Sequence, residues 1–173
     1  MNDNIFLTGF MGAGKSTVGR RLARRIGCGF ADLDSLIVER ERCPITEIFA
    51  TKGEAYFRDC EAAVLAEQAL ARNMVFATGG GIVGRADNRE TMKRSGQVVY
   101  LRAQWATLAA RLAKGRGRPL ADADHGLESA RSLWASRLAW YEEADLIVDT
   151  DGLGVDEVVG MIVARLGLKG GKS

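Results

Sequence analysis

The sequence predicts a three-layer α/β/α fold built on a five-stranded parallel sheet. Five short apolar segments alternate with longer segments in which apolar residues recur every three or four positions. Helical connections between successive strands make those strands parallel, with right-handed crossovers and helices on both faces of the sheet. Ligands of such sheets bind beyond the carboxyl ends of the strands, which is where functional residues are expected.

Each predicted strand is a short apolar run with glycine or polar residues beside it. The five runs span residues 4–8, 30–33, 74–78, 98–101 and 146–148. The segments between them carry apolar residues at helical spacing. These residues are Val18, Leu22 and Ile26; Ala62, Leu65 and Ala69; Leu108 and Leu112; and Trp134, Leu138 and Tyr141.

The composition indicates a globular protein with one domain, residues 1–168. Of its 173 residues 47% are hydrophobic and 27% charged, and the formal net charge is +2. No segment approaches the ~20 apolar residues that span a bilayer, and the N-terminus lacks the basic start of a signal peptide. Three cysteines without a C-x-x-C pair and a single histidine argue against a disulfide framework and a zinc site. We expect a cytoplasmic protein with neither a membrane nor a nucleic-acid partner.

A phosphate-binding loop follows the first strand. Residues 9–16 read Gly-Phe-Met-Gly-Ala-Gly-Lys-Ser and match G-x-x-x-x-G-K-[ST] between a strand and a helix. Backbone N–H groups of such a loop, and the positive end of the following helix, hold phosphate oxygens. The alternative is a glycine-rich turn that only packs the helix on the sheet. The predicted nucleotide-binding residues are Gly12, Ala13, Gly14, Lys15, Ser16 and Thr17.

Two residues of this loop have specific expected roles. Lys15 should reach the β- and γ-phosphates, and the Ser16 hydroxyl should bind Mg²⁺. GTPases, motor ATPases and small-molecule kinases all use such a loop, so the acceptor side has to identify the reaction.

Two aspartates mark the end of the second strand. Asp32 and Asp34 are two residues apart, so an extended backbone would point both carboxylates to one side. In phosphoryl transfer one carboxylate can position Mg²⁺ while another orients or deprotonates the attacking hydroxyl. Alternatively, Asp34 caps the helix that begins near Ser35.

Three glycines follow the third strand. Gly79, Gly80 and Gly81 stand where a parallel sheet opens its ligand-binding crevice. They indicate either a ligand lying against bare backbone or a tight turn.

Two arginines lie in predicted helices. Arg58 has Glu54 four positions before it and Glu61 three positions after it, as in an exposed ladder of ion pairs. Arg137 precedes Tyr141 by one helical turn and has the geometry to bind a carboxylate with two hydrogen bonds.

Residues 114–126 are predicted to form a mobile lid. The segment has three glycines, three basic residues and Pro119, with almost no large apolar side chain. Irregular connections of this length are often functional lids, although a plain solvated connection is the alternative. Residues 169–173 are predicted to be a disordered tail.

Taken in order, these motifs resemble the shikimate kinase family of P-loop kinases. The resemblance extends from about residue 5 to about residue 166. Besides the phosphate loop it comprises D-x-D, F-R-x-x-E, a glycine triplet, R-P-L in the lid and R-x-x-x-Y. The matching residues are Asp32 and Asp34; Phe57, Arg58 and Glu61; Gly79, Gly80 and Gly81; Arg118, Pro119 and Leu120; and Arg137 and Tyr141. The chain departs from the family's usual lid at Ala121, where a second leucine is common.

The resemblance implies transfer of the γ-phosphoryl group of ATP to the 3-hydroxyl of shikimate, giving shikimate 3-phosphate. This is a step of chorismate and aromatic amino-acid biosynthesis, and the resemblance implies Mg²⁺ as cofactor. It also suggests a monomeric enzyme whose partners are ATP and shikimate.

The resemblance assigns roles to individual residues. It implies that Lys15, Asp34 and Arg118 are catalytic and that Ser16 and Asp32 serve the metal. Arg118 would move onto the transferring phosphates, and Arg111 would lie along the adenine. The residues implied to hold shikimate are Asp34, Arg58, Gly79, Gly80, Gly81 and Arg137.

Other functions remain open at this point. Gluconate kinase and nucleoside monophosphate kinases share the build, and only the register of the motifs separates shikimate from gluconate. A nucleotide-binding protein without turnover is a third interpretation, although Lys15, Ser16, Asp32, Asp34 and Arg118 are all intact. A GTPase is disfavoured because the sequence has no N-K-x-D motif.

Overall fold

A five-stranded sheet forms the centre of the structure, a computed structural model that describes residues 4–114 and 123–169. All strand pairs are parallel, and the order across the sheet is β2-β3-β1-β4-β5. The predicted five-stranded parallel sheet is therefore confirmed. The strands are β1 (Asn4–Thr8), β2 (Gly29–Asp32), β3 (Met74–Ala77), β4 (Gly96–Arg102) and β5 (Leu146–Asp149).

Helices connect the strands. They are α1 (Lys15–Ile26), α2 (Leu33–Glu41), α3 (Ile45–Gln68), α4 (Ala86–Ser95), α5 (Trp105–Lys114), α6 (Ala123–Tyr141) and α7 (Val155–Arg165), with a short 3₁₀-helix at Ile82–Gly84. Helix α1 packs on β2, β3 and α7, whereas α4 packs on β4. Within the described ranges, no helix combines the length and apolarity needed to cross a membrane.

The central strand β1 is buried along its whole length. Phe6 and Leu7 are 0% exposed, and Phe6 pairs in register with Phe76 on one side and Val98 on the other. A strand covered on both faces reads as a continuous apolar run, which is why β1 was identifiable from sequence. The Thr78 hydroxyl donates to the carbonyl of Leu7 at 2.9 Å. This bond fixes the ends of β1 and β3, where the glycine-rich segments begin.

Two local features matter for the site, and the first differs from the prediction. Strand β2 ends at Asp32 and Leu33 already begins α2, so Asp34 lies in the first turn of a helix and not in a strand. Helix α3 is broken at Gly53, whose φ of 83° is left-handed and favours glycine. The two halves of α3 therefore present their side chains in different directions.

The predicted lid is partly helical. Lys114 is the last residue of α5, and α6 begins at Ala123, so regular structure enters both ends of the 114–126 segment. Residues 115–122, which include Arg118, Pro119, Leu120 and Ala121, lie outside the described residues. Residues 170–173 of the predicted tail lie outside them as well.

Candidate active site

The phosphate loop joins β1 to α1 through glycines in left-handed conformations. Gly12 has φ 81° and Gly14 has φ 91°, values that side-chain-bearing residues rarely adopt. Lys15 Nζ donates to the carbonyls of Gly9 at 2.8 Å and Phe10 at 3.0 Å. The ammonium group is thus held over the loop, where a phosphate chain would replace these carbonyls as its partner.

Ala13 differs from the other predicted residues of this loop. Its side chain is buried, and its N–H donates to the carbonyl of Phe10 at 3.1 Å. It is also absent from the residues that line the adjoining cavity. Ala13 therefore shapes the turn, and its N–H is directed into the loop.

Ser16 and Asp32 connect the loop to the end of β2. The Ser16 hydroxyl donates to Oδ2 of Asp32 at 2.5 Å. The two predicted metal-site residues are thus neighbours, and both offer oxygen atoms. Mg²⁺ prefers oxygen ligands and usually keeps several waters, so one carboxylate and one hydroxyl beside bound phosphates suit it.

Asp32 also begins helix α2. Its Oδ1 accepts hydrogen bonds from the N–H groups of Asp34 at 3.1 Å and Ser35 at 3.4 Å. The helix cap predicted as the alternative role of Asp34 belongs to Asp32 instead. The cap directs Oδ1 to the helix and leaves Oδ2 on Ser16, so a single carboxylate orders both the helix and the loop.

A cavity of about 1150 Å³ extends from the phosphate loop across the carboxyl ends of β1, β2 and β3. Residues that follow β3 and residues of α6 also line it. Among the described residues, its lining includes every predicted site residue except Ala13; Arg118 lies outside the described residues. Those present are Gly12, Gly14, Lys15, Ser16, Thr17, Asp32, Asp34, Arg58, Gly79, Gly80, Gly81, Arg111 and Arg137.

The second half of α3 carries the charged wall of this cavity. Arg58 Nη1 donates to Glu61 at 2.5 Å, and its Nη2 donates to Glu54 at 3.2 Å. The predicted ion pairs are present, but the ladder is not exposed, since the side chains of Arg58 and Glu61 are 17% and 1% accessible. Burial alone would lower the pKa of the Arg58 guanidinium, but the two carboxylates outweigh it and the pKa is raised. Arg58 is therefore a permanent cation.

Glu61 is the site residue whose importance the helical spacing did not reveal. Burial raises the pKa of its carboxyl, and Arg58 opposes this only in part. Its Oε1 has no hydrogen-bond partner among the described residues. The charges of Asp34 and Arg137 also act on it, which places four charged groups around one point. The spacing predicted Glu61 as an ion-pair partner of Arg58, and F-R-x-x-E marked it as a motif residue, but neither indicated its burial.

The three glycines bring the backbone close to these charged groups. A Cβ on Gly79 would lie 2.5 Å from Glu61 Oε1 and 2.8 Å from Asp34 Oδ1, and one on Gly81 would collide with the Arg58 guanidinium. The N–H of Ile82 donates to the carbonyl of Gly79, which also makes the segment a turn. The turn interpretation is therefore confirmed. The three glycines also line the cavity, and a ligand lying against their backbone stays a prediction.

Helix α6 supplies the opposite wall. Arg137 is 8% exposed and lines the cavity, and Tyr141 one turn later is 1% exposed. The Tyr141 hydroxyl donates to the carbonyl of Gly80 at 2.5 Å. Arg111, from α5, donates to the carbonyl of Gly12 at 2.8 Å and so covers the phosphate loop.

Two aromatic rings of α3 line the cavity beside Arg58. Phe49, from the first half of α3, lies 4.8 Å from Phe57 between ring centroids, and both line the cavity. The guanidinium of Arg58 lies 5.2 Å from the Phe57 ring centroid. A small ring with one anionic group would thus meet an apolar wall next to fixed cations. Periodicity could not identify Phe49, because its position depends on the break at Gly53.

Sequence comparisons place the chain among known proteins. The family model described as shikimate kinase matches residues 11–167. A shikimate kinase of Geobacter sulfurreducens is 44% identical over 90% of this chain and 86% of its own length. One of Chromobacterium violaceum is 43% identical over 94% of this chain and 89% of its own.

Solved structures agree with the sequence relatives. Shikimate kinase of Bacteroides thetaiotaomicron superposes with a TM-score of 0.90 at 35% identity, covering 97% of this chain and 100% of that one. A shikimate kinase of Acinetobacter baumannii in complex with shikimate gives 0.88 at 36% identity, covering 96% and 94%. A gluconokinase of Sinorhizobium meliloti gives 0.62 at 20% identity and shares the fold alone. The chain belongs to the shikimate kinase family.

Proposed function

We propose that this protein transfers the γ-phosphoryl group of ATP to the 3-hydroxyl of shikimate. One observation carries the proposal: the phosphate loop shares a single cavity with Asp34, Arg58 and Arg137. A donor with a phosphate chain and an acceptor with a carboxylate and hydroxyls therefore have adjoining sites. Holding both substrates in one place removes much of the entropic barrier to reaction.

The acceptor half suits the chemistry of shikimate. Shikimate is a cyclohexene with one carboxylate and three hydroxyls. Arg58 and Arg137 supply cations for the carboxylate, and the Gly79 to Gly81 backbone lines the same cavity. The apolar ring face would lie against Phe49 and Phe57. A crystallised relative of 36% identity binds shikimate, which supports the same acceptor here.

Asp34 is proposed to act on the attacking hydroxyl. Its carboxylate orients the 3-hydroxyl toward the γ-phosphorus and takes up the proton as the new P–O bond forms. The bond from the γ-phosphorus to the bridging oxygen of ADP breaks, and ADP leaves with that electron pair. Lys15 stabilises the negative charge on the phosphate oxygens during this transfer. Arg118 is proposed to add a second cation from the lid segment.

Ser16 and Asp32 are proposed to hold Mg²⁺ together with the phosphates. When bound, the ion would neutralise charge on the phosphate oxygens. The short bond between Ser16 Oγ and Asp32 Oδ2 supports this assignment, because it keeps two hard oxygen atoms together at the loop. Asp32 is ordered by its cap to α2, so its carboxylate is available in one orientation.

The test is an acceptor panel in a coupled ADP-release assay. Shikimate, gluconate and nucleoside monophosphates are each offered with ATP and Mg²⁺. We expect turnover with shikimate and none above background with the others. Turnover with gluconate or a nucleotide alone would overturn the proposal, and so would ATP hydrolysis that no acceptor stimulates.

We also propose that the enzyme acts as a monomer in the cytoplasm. Both statements rest on the composition and on the resemblance of the sequence. Sedimentation velocity of the purified protein should give the mass of a single 18.7 kDa chain. A dimer at micromolar concentration would contradict the first statement.

A further inference from the structure

Tyr141 belongs to the R-x-x-x-Y motif, yet the proposed function gives it no role. Its ring is 1% exposed and stacks on Tyr100, with centroids 5.0 Å apart and planes inclined by 15°. A stacked, buried ring has one orientation, so the position of its hydroxyl is fixed. That hydroxyl donates to the carbonyl of Gly80 at 2.5 Å.

The same hydroxyl lies beside the arginine that precedes it by one helical turn. Burial strongly raises the pKa of the Tyr141 phenol, and the charge and side-chain hydrogen bond of Arg137 oppose that shift. Arg137 itself is 8% exposed and lines the acceptor half of the cavity. The phenol oxygen therefore stands between a cation of the acceptor site and the glycine backbone.

The 3₁₀-helix that follows the three glycines is bound by side chains of a different helix. Asn88 donates to the carbonyl of Ile82 at 3.0 Å, and Arg89 donates to that of Val83 at 2.7 Å. Both donors come from α4 and fix the 3₁₀-helix beyond the glycines. Tyr141 instead reaches the middle glycine from α6, the helix that carries Arg137. It thus connects the two acceptor-binding elements of this wall directly.

We propose that Tyr141 is a positioning residue that sets the placement of Arg137 relative to Gly80 for an acceptor bearing a carboxylate. The hydroxyl fixes the separation between the cation that binds the carboxylate and the backbone on which the acceptor ring lies. Tyr141 itself is not among the residues that line the cavity, so it acts through Arg137 and Gly80. This role depends on the proposed function, because it concerns the same acceptor site.

The test compares Tyr141→Phe with the wild-type enzyme at varied shikimate and varied ATP. Phenylalanine keeps the ring and its stack on Tyr100 and removes only the hydroxyl. We expect the KM for shikimate to rise about tenfold, the usual effect of losing one well-placed hydrogen bond. The KM for ATP and kcat should stay within about twofold, since the phosphate loop is untouched.

Tyr100→Phe is the matched control. It removes the hydroxyl from the other ring of the same stack, which is also 1% exposed but does not line the cavity. This variant should keep both KM values. Equal increases in the KM for shikimate in the two variants would overturn the proposal, because they would mark a general packing effect.

A double-mutant cycle with Arg137→Lys tests whether Tyr141 acts through Arg137. The effects of Tyr141→Phe and Arg137→Lys on shikimate affinity, measured by calorimetry, should be clearly non-additive. Additive effects, an unchanged KM for shikimate or an equal rise in both KM values would each overturn the proposal. So would failure of Tyr141→Phe to fold, which would assign the hydroxyl to stability. Absence of wild-type turnover with shikimate would instead refute the proposed function.

Discussion

The guanidinium of Arg58 donates to the carboxylate of Glu61 at 2.5 Å, and both residues line the cavity. Glu61 is 2% exposed, whereas the second partner of Arg58, Glu54, has a side chain that is 64% accessible. The arginine is thus anchored from the protein interior, and its position does not depend on the exposed pair. Surface ion pairs contribute little to stability, so the buried pair with Glu61 determines the position of the Arg58 guanidinium.

The free energy of unfolding should depend on pH because the carboxyl of Glu61 is buried. Burial raises the pKa of this carboxyl above its ordinary value of 4.5, so the folded protein binds this proton more tightly than the unfolded chain. The contribution of Glu61 is therefore fully favourable below the ordinary pKa and is lost as pH rises through the raised one. Relative to Glu61→Gln, the wild-type free energy of unfolding should fall from about pH 4.5 upward, by at most about 1.4 kcal/mol per pH unit.

Urea unfolding of both proteins across this pH range is the measurement. Glu54→Gln, which removes the exposed partner of the same arginine, should follow the wild-type profile. Parallel curves for wild type and Glu61→Gln would show that burial of Glu61 has no such effect.

Asp32 caps helix α2 and is proposed to supply a metal-site oxygen, and substitutions can separate the two roles. Asparagine caps helices as well as aspartate does, so Asp32→Asn should change the free energy of unfolding little. The Mg²⁺ concentration that half-saturates the Asp32→Asn enzyme should rise about 10–100-fold, because loss of a residue that orders a metal site weakens metal binding by that factor. Asp32→Ala should show the same Mg²⁺ defect and also lose about 1 kcal/mol of stability. Identical Mg²⁺ titrations for wild type and Asp32→Asn would remove Asp32 from the metal site.

Gly79 leaves no room for a side chain. Because its Cβ would lie 2.5 Å from Glu61 Oε1 and 2.8 Å from Asp34 Oδ1, Gly79→Ala must displace acceptor-site groups. The KM for shikimate should rise at least about tenfold, with a much smaller change for ATP. Gly160→Ala in α7 is the control, since a Cβ there would meet nothing within 4 Å. It should keep activity and gain about 0.5–1 kcal/mol of stability. Wild-type kinetics in Gly79→Ala would contradict the close approach.

Arg137→Ala should affect the KM for shikimate and the KM for ATP differently. Loss of a charge-assisted bond to a carboxylate should raise the KM for shikimate about 10–100-fold and leave the KM for ATP nearly unchanged. Arg131→Ala, which removes an exposed arginine from the same helix, should keep both values. Equal effects of Arg137→Ala on both substrates would place Arg137 outside the acceptor site.

The strands could be predicted because each is a buried run with polar ends. All five predicted strands exist, and β1 matches residue for residue. Their order across the sheet is not encoded in such runs, since periodicity does not say which strand lies beside which. Helices α4 and α7 were not singled out, and the predicted β2 was displaced by one residue because the Asp32 cap starts α2 at Leu33.

Site residues could be predicted where a sequence motif specifies their chemistry. They were harder to predict where their role depends on which residues the fold buries. The phosphate loop and the aspartates line the cavity as expected. The spacing around Arg58 predicted its ion pairs but not that Glu61 is enclosed, because helical spacing alone does not show which face the fold covers. Tyr141 was recognised as a helix residue and as part of a motif, but its bond to Gly80 depends on the tertiary structure.

The position of the transferred phosphoryl group tests the account most directly. The product formed from shikimate and ATP can be identified by a two-dimensional NMR experiment that correlates phosphorus with ring protons. The account predicts one phosphate ester, coupled to the proton on the carbon that bore the 3-hydroxyl, formed in equal amount with ADP. A phosphate on another ring position, or inorganic phosphate as the only phosphorus product besides ADP, would contradict it.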